Sequence, residues 1–106
     1  MIWAEIRRNQ KGNIYGFTVK EHGESVVCAA ISMLSLNTVN SIEALVDEEM
    51  TYNYNPNGGF LEMDLPRIRN GKRNREADLL LESLALGLRS VKASYSNEIE
   101  IEDDKV

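Results

Sequence analysis

The 106-residue sequence predicts an α+β domain, with two helices packed on one face of a mostly antiparallel five-stranded sheet in the order β-β-α-β-β-α-β. Three patterns carry that prediction. Short segments with a side-chain period of two come in pairs joined by turn residues. Two longer segments repeat their apolar residues at helical spacing, and a last alternating segment follows the second of them.

Ile2, Ala4 and Ile6 alternate with Trp3, Glu5 and Arg7. After the turn cluster Asn9-Gln10-Lys11-Gly12-Asn13, Tyr15, Phe17 and Val19 alternate with Ile14, Gly16 and Thr18. Two half-buried strands with so short a polar connection form a hairpin. Glu21-His22-Gly23-Glu24-Ser25 then leads into a long segment without Gly or Pro. In it Val27, Ile31 and Leu34, then Val39, Ile42, Leu45 and Val46, mark a helix. Glu24 or Ser25 supplies the N-cap, which puts Cys28 in or just after the first turn. Asn37, Thr38 and Asn40 are poor helix formers, so the sequence leaves room for a kink or break near them.

Residues 49–55 are rich in Tyr and Thr, and residues 60–65 alternate Leu61, Met63 and Leu65 with Phe60, Glu62 and Asp64. Pro56-Asn57-Gly58-Gly59 between them is a strong hairpin signal, because Asn-Gly suits the positive φ angles of a tight turn. Residues 67–75 hold Arg67, Arg69, Lys72, Arg73 and Arg75 around Asn70-Gly71 and read as a mobile, solvated polar loop ahead of the alternative, a surface that docks an anionic partner such as RNA. From about 75 to 94, Ala77, Leu80, Leu81, Leu84, Leu88 and Val91 form one helical stripe. In residues 97–102, Ile99 and Ile101 alternate with Glu98, Glu100 and Glu102, a strand whose charged outer face discourages edge-to-edge pairing.

Length and the lack of any linker make residues 1–106 a single domain. Twelve Lys and Arg against 17 Asp and Glu give a net charge of −5, so no direct nucleic-acid binding and no attraction to anionic membranes is expected. No segment reads as a membrane span or as a signal peptide. A single cysteine excludes an internal disulfide and a zinc-ligand cluster, and fits a reducing, cytoplasmic setting. Gly12, Gly58 and Gly59 form no phosphate-binding pattern, and the acidic residues 98–104 lack calcium-loop spacing.

The chemistry concentrates at one place. Cys28 is the only cysteine and His22 the only histidine, six positions apart where a strand gives way to a helix. A thiol beside an imidazole is the minimum equipment of a cysteine protease: the imidazole takes the proton and the thiolate attacks a carbonyl. The unpaired N–H groups and dipole of a helix N-terminus favour an anion such as a thiolate there. Taken singly, a lone cysteine is a small core residue and a lone histidine an exposed polar one. Their proximity favours the pair. Ser32, four residues after Cys28 and on the same helical face, either orients His22 or bonds the preceding turn. Ser25 either caps the helix or helps position the imidazole. Met33, Met50 and Tyr54 line a substrate pocket or pack in the core.

Val26-Val27-Cys28-Ala29-Ala30-Ile31-Ser32 resembles the helix-start pattern of the ribosomal-processing cysteine protease family, Prp. Ile14-Tyr15-Gly16-Phe17 and His22-Gly23 upstream, and Leu80-Leu81-Glu82-Ser83-Leu84, Gly87-Leu88 and Tyr95 downstream, are similar to the family's pieces in the same order. The resemblance implies a small α+β fold, a homodimer, Cys28 as nucleophile and His22 as general base, and no metal or organic cofactor. It implies as substrate the precursor of large-subunit ribosomal protein twenty-seven, from which the family removes an N-terminal extension after an aromatic residue. The loop between His22 and Cys28 is shorter than is typical of the family, Ser25 stands where Asp is usual, and Glu21 stands where Gly is usual. Those departures motivate an alternative, a non-enzymatic ribosome-associated binding module with a relic Cys-His pair.

Overall fold

The computed structural model describes residues 1–20 and 26–104. The elements are β1 (Ile2–Arg8), β2 (Ile14–Lys20), α1 (Val26–Leu45), β3 (Thr51–Tyr54), β4 (Phe60–Asp64), α2 (Pro66–Arg69), α3 (Arg75–Ser94) and β5 (Ile99–Asp103). The strands form one sheet in the order β3-β4-β2-β1-β5. All pairings are antiparallel except β1 with β5, which is parallel. The expected α+β architecture is present, with one short helix, α2, added to it.

Register explains the core. Ala4 pairs with Val19, Ile6 with Phe17, Phe17 with Met63, Val19 with Leu61 and Ile2 with Ile99, so one sheet face is an apolar layer. Against it lie Val27, Ile31, Val39 and Ile42 of α1 and Leu81, Leu84 and Leu88 of α3, all buried. Gly87 lets the two helices close up: a Cβ there would meet the Leu34 side chain at 3.1 Å.

Four sequence expectations need correction. Strict alternation put Tyr15 inward, but a register shift between Arg7 and Arg8 sets Arg8 opposite Ile14. Ile14 is therefore buried and Tyr15 only half-buried, because a bulge moves one residue out of the pleat. Arg8 follows Ile6 by plain alternation onto the inner face, where it pairs with Glu82 of α3 and Asp103 of β5. No break falls near Asn37–Asn40, and α1 runs as one helix from Val26 to Leu45. Thr38 Oγ1 donates to the Leu34 carbonyl at 2.8 Å, so its hydroxyl is satisfied within the helix, while Val39 and Ile42 hold that stretch on the sheet.

Residues 67–75 are not a free loop. Pro66 starts α2, Ile68 is buried, and Asn9 Nδ2 donates to the Ile68 carbonyl at 2.7 Å. Lastly, α1 is 20 residues with mean hydropathy 1.3, enough by length and composition to cross a membrane. Its apolar stripe is engaged by this protein's own sheet and α3, as in a core helix.

The outer sheet face carries a polar network. Arg7 donates to Glu5, Thr18, Asp64 and the Met63 carbonyl, reaching across β2 to β4. Gly16 permits that crossing, since a Cβ there would collide with Asp64 and the Met63 carbonyl. Burial alone would lower the Arg7 pKa, and its bonds to Glu5 and Asp64 outweigh burial and raise it.

Candidate active site

Cys28 is the third residue of α1, within the turn whose backbone N–H groups have no carbonyl partner inside the helix. Its side chain is buried, 7% exposed. Ser32 stands one turn further along the same side of α1, half-buried, as the i, i+4 spacing requires. Ser32 lines a groove of about 260 Å³ between α1 and the β3–β4 hairpin. Ser35 and Leu36 continue the helix wall, Val19 and Leu61 of the sheet also line it, and Tyr54, Asn55, Pro56 and Phe60 come from the hairpin.

The hairpin wall is built by its turn. Gly58 N–H donates to the Asn55 carbonyl at 2.8 Å, and Asn57 N–H to Asn55 Oδ1 at 2.9 Å. Gly58 and Gly59 take φ near +86° and +88°, a backbone that side chains disfavour. β3 is an edge strand, and Tyr52 and Tyr54 project from the same face as Leu61 and Met63, their rings stacked 6.4 Å apart. The groove is mainly apolar. One polar group stands out: Ser35 Oγ is buried and lacks a hydrogen-bond partner among the described residues.

The electrostatics of α1 suit an anion at its start. Its first turn contains no acidic residue and its last turn no basic one, so nothing in those turns offsets the helix dipole. No group of three or more His, Cys, Asp or Glu side chains able to hold a metal occurs among the described residues.

The structure places Cys28 and Ser32 on one helix face, and of the two Ser32 lines the groove. His22 and Ser25 lie outside the described residues, and the expectations that fall on them are carried by the sequence. Of the suggested pocket residues, Tyr54 lines the groove, Met50 packs against the core, and Met33 points to solvent. Ser35, Leu36, Pro56 and Phe60 were missed. The spacing 28, 32, 35 along one helix face was the available signal for Ser35, and the hairpin wall had none, since its position depends on sheet order.

Comparison with known proteins decides the lineage. The sequence profile described as cysteine protease Prp matches residues 1–100. The chain belongs to this family. The ribosomal processing cysteine protease Prp of Bacillus subtilis (strain 168) is 25% identical over 107 residues, covering 95% of this chain and 96% of the relative. Its Staphylococcus aureus (strain NCTC 8325 / PS 47) counterpart is 29% identical over 108 residues, covering 95% and 97%. The crystal structure of S. aureus Prp with a covalently linked product peptide superposes with a TM-score of 0.86 at 27% identity, covering 98% of this chain and 100% of that one. The S. aureus structure with a substrate peptide gives 0.85 at 26% identity, covering 98% and 100%. As a Prp family member the chain is a cysteine-class peptide hydrolase, which sets aside the non-enzymatic binding module.

Proposed function

We propose that the chain is the endopeptidase that removes the N-terminal extension of the precursor of large-subunit ribosomal protein twenty-seven, with Cys28 as nucleophile and His22 as general base. The observation that carries this reading is the placement of Cys28 in the first turn of α1, one turn before Ser32 opens onto an apolar groove. An extended peptide with apolar side chains fits such a groove, and relatives in this family are named for ribosomal processing. The shorter His22–Cys28 loop leaves both groups of the pair in place in the sequence.

In this mechanism His22 takes the Cys28 proton and the thiolate attacks the scissile carbonyl carbon. Backbone N–H groups of the α1 first turn stabilise the oxyanion that forms. The imidazolium then protonates the leaving amine as the C–N bond breaks, leaving a thioester on Cys28. Water, deprotonated by His22, hydrolyses the thioester and releases the shortened protein. The chemistry calls on no metal or organic cofactor. Ser32 is assigned as a positioning residue at the groove entrance, and Ser25 as the helix cap or a support for His22. The lone cysteine favours a reducing, cytoplasmic setting. The homodimer is proposed on the resemblance to the family.

The test is cleavage of a peptide spanning the precursor's processing site. Cys28→Ala and His22→Ala are each expected to lower kcat/KM by roughly 10³-fold or more, as loss of a nucleophile or its base does elsewhere. Cleavage by Cys28→Ala at the wild-type rate overturns the assignment.

A further inference from the structure

We propose that the end of the molecule formed by the β1–β2 turn and residues 66–75 binds the phosphate backbone of RNA through Lys11, Arg67, Arg69, Lys72, Arg73 and Arg75. This surface is separate from the groove that Ser32 lines, and it departs from the expectation drawn from net charge. Net charge is a property of the whole chain. What a polyanion meets is the local arrangement.

That arrangement is segregated. Arg7, Arg8, Arg89 and Lys92 each pair with a carboxylate, and Lys20 lies over the Trp3 ring at 5.0 Å. The six named cations have no carboxylate within ion-pairing distance among the described residues. All six are exposed, and residues 66–75 contain no acidic side chain. An acidic protein that spent its carboxylates on neutralisation would not leave its basic residues unpaired in one place.

The cluster is also fixed in space. Buried Ile68 anchors α2, Asn9 Nδ2 holds the Ile68 carbonyl, and Lys11 Nζ donates to the Gly71 carbonyl at 2.9 Å. The two segments therefore flank a shared concavity of about 640 Å³, lined by Lys11, Arg69 and Lys72 with Asn9, Gln10 and Asn70. Arg8 also borders it, but Glu82 and Asp103 already take up its charge. A segment whose backbone is already held in place loses less freedom on binding than a free loop.

The chemistry favours RNA over an acidic peptide. Four of the five cations within residues 67–75 are Arg, whose planar fork pairs two oxygens of a phosphate. The amides of Gln10 and Asn70 add hydrogen-bond acceptors as well as donors, which match ribose 2′-hydroxyls and base edges. A carboxylate-bearing peptide offers nothing for those acceptors beyond its backbone. The choice of RNA also rests on the ribosomal substrate proposed above, whose partner is RNA.

The experiment is fluorescence anisotropy of a labelled RNA hairpin with the full chain, from about 50 mM to about 200 mM salt. The expected Kd is roughly 10⁻⁴ to 10⁻⁶ M at physiological salt, weakening steeply as salt rises. Arg69→Glu/Lys72→Glu/Arg73→Glu is expected to weaken binding at least tenfold and to flatten the log–log salt slope by about 0.7–0.9 for each phosphate no longer neutralised. Lys20→Glu, on the sheet face, is expected to bind as wild type. No binding, salt-insensitive binding, equal loss in Lys20→Glu, or equally tight binding of polyglutamate each overturns the proposal. Cleavage of the isolated peptide is measured on the same samples and is expected to be unchanged in the triple variant. The protease reading and the RNA surface therefore fail separately.

Discussion

α1 and α3 are each 20 residues long and lie side by side on the same sheet, yet they are finished differently. α3 has a stabilising device at both ends. The Asn74 side chain accepts from Ala77 N–H at 3.1 Å, Glu76 and Asp78 sit at the positive end of the dipole, and Lys92 near the other end donates to the Ile99 carbonyl. α1 has no acid in its first turn and no base in its last, and beyond Cys28 it places Ser32 and Ser35 on the groove wall. One helix is completed for stability. The other carries no compensating charge in either end turn and bears the candidate nucleophile Cys28 near its positive end, so the difference separates scaffold from candidate site within a single layer.

The largest effect tests whether the two helices share the core equally. Ile31 and Leu88 are both fully buried, and Ile31→Ala and Leu88→Ala should each lower unfolding free energy by about 2–5 kcal/mol in urea titrations. Their activities should diverge at a temperature where both variants remain folded. Leu88→Ala should keep near wild-type kcat/KM, while Ile31→Ala should lower it, because Ile31 packs in the helix stretch between Cys28 and Ser32. Equal activity in the two would break the distinction between the helices. A smaller effect is expected at the α3 cap. Asn74→Ala should cost about 1 kcal/mol, seen as a lower denaturation midpoint, with peptide cleavage unchanged.

The sequence made α3 legible almost residue for residue, since its stripe, cap and charges all point the same way. The two hairpins were equally readable from alternation and from Asn57-Gly58. The bulge at Tyr15 was not, because a one-residue slip leaves no mark in composition and reveals itself only in pairing. Residues 67–75 were misread because one apolar side chain, Ile68, outweighed the polar character of its neighbours once Asn9 was there to hold it. Of the site, the Cys28–Ser32 face followed from helical spacing alone. The groove could not follow, since β4 reaches α1's side only through the non-sequential pairing of β2 with β4.

The smallest effect is the most discriminating, because stability and activity should move in opposite directions. Val26 opens α1 with its side chain 78% exposed, so a longer polar residue fits there without disturbing the core. Val26→Glu places a carboxylate at the positive end of the helix dipole and should stabilise the fold by about 0.3–1 kcal/mol at low ionic strength. The same carboxylate lies two residues from Cys28 and opposes the build-up of a second negative charge on the thiolate. Cleavage should therefore fall severalfold while the denaturation midpoint rises, and added salt should shrink both changes together by screening. Val26→Gln, equal in size and uncharged, should show neither. A gain in stability with undiminished cleavage would mean that the positive end of α1 does not serve Cys28, and that the missing acid in its first turn has no bearing on the chemistry.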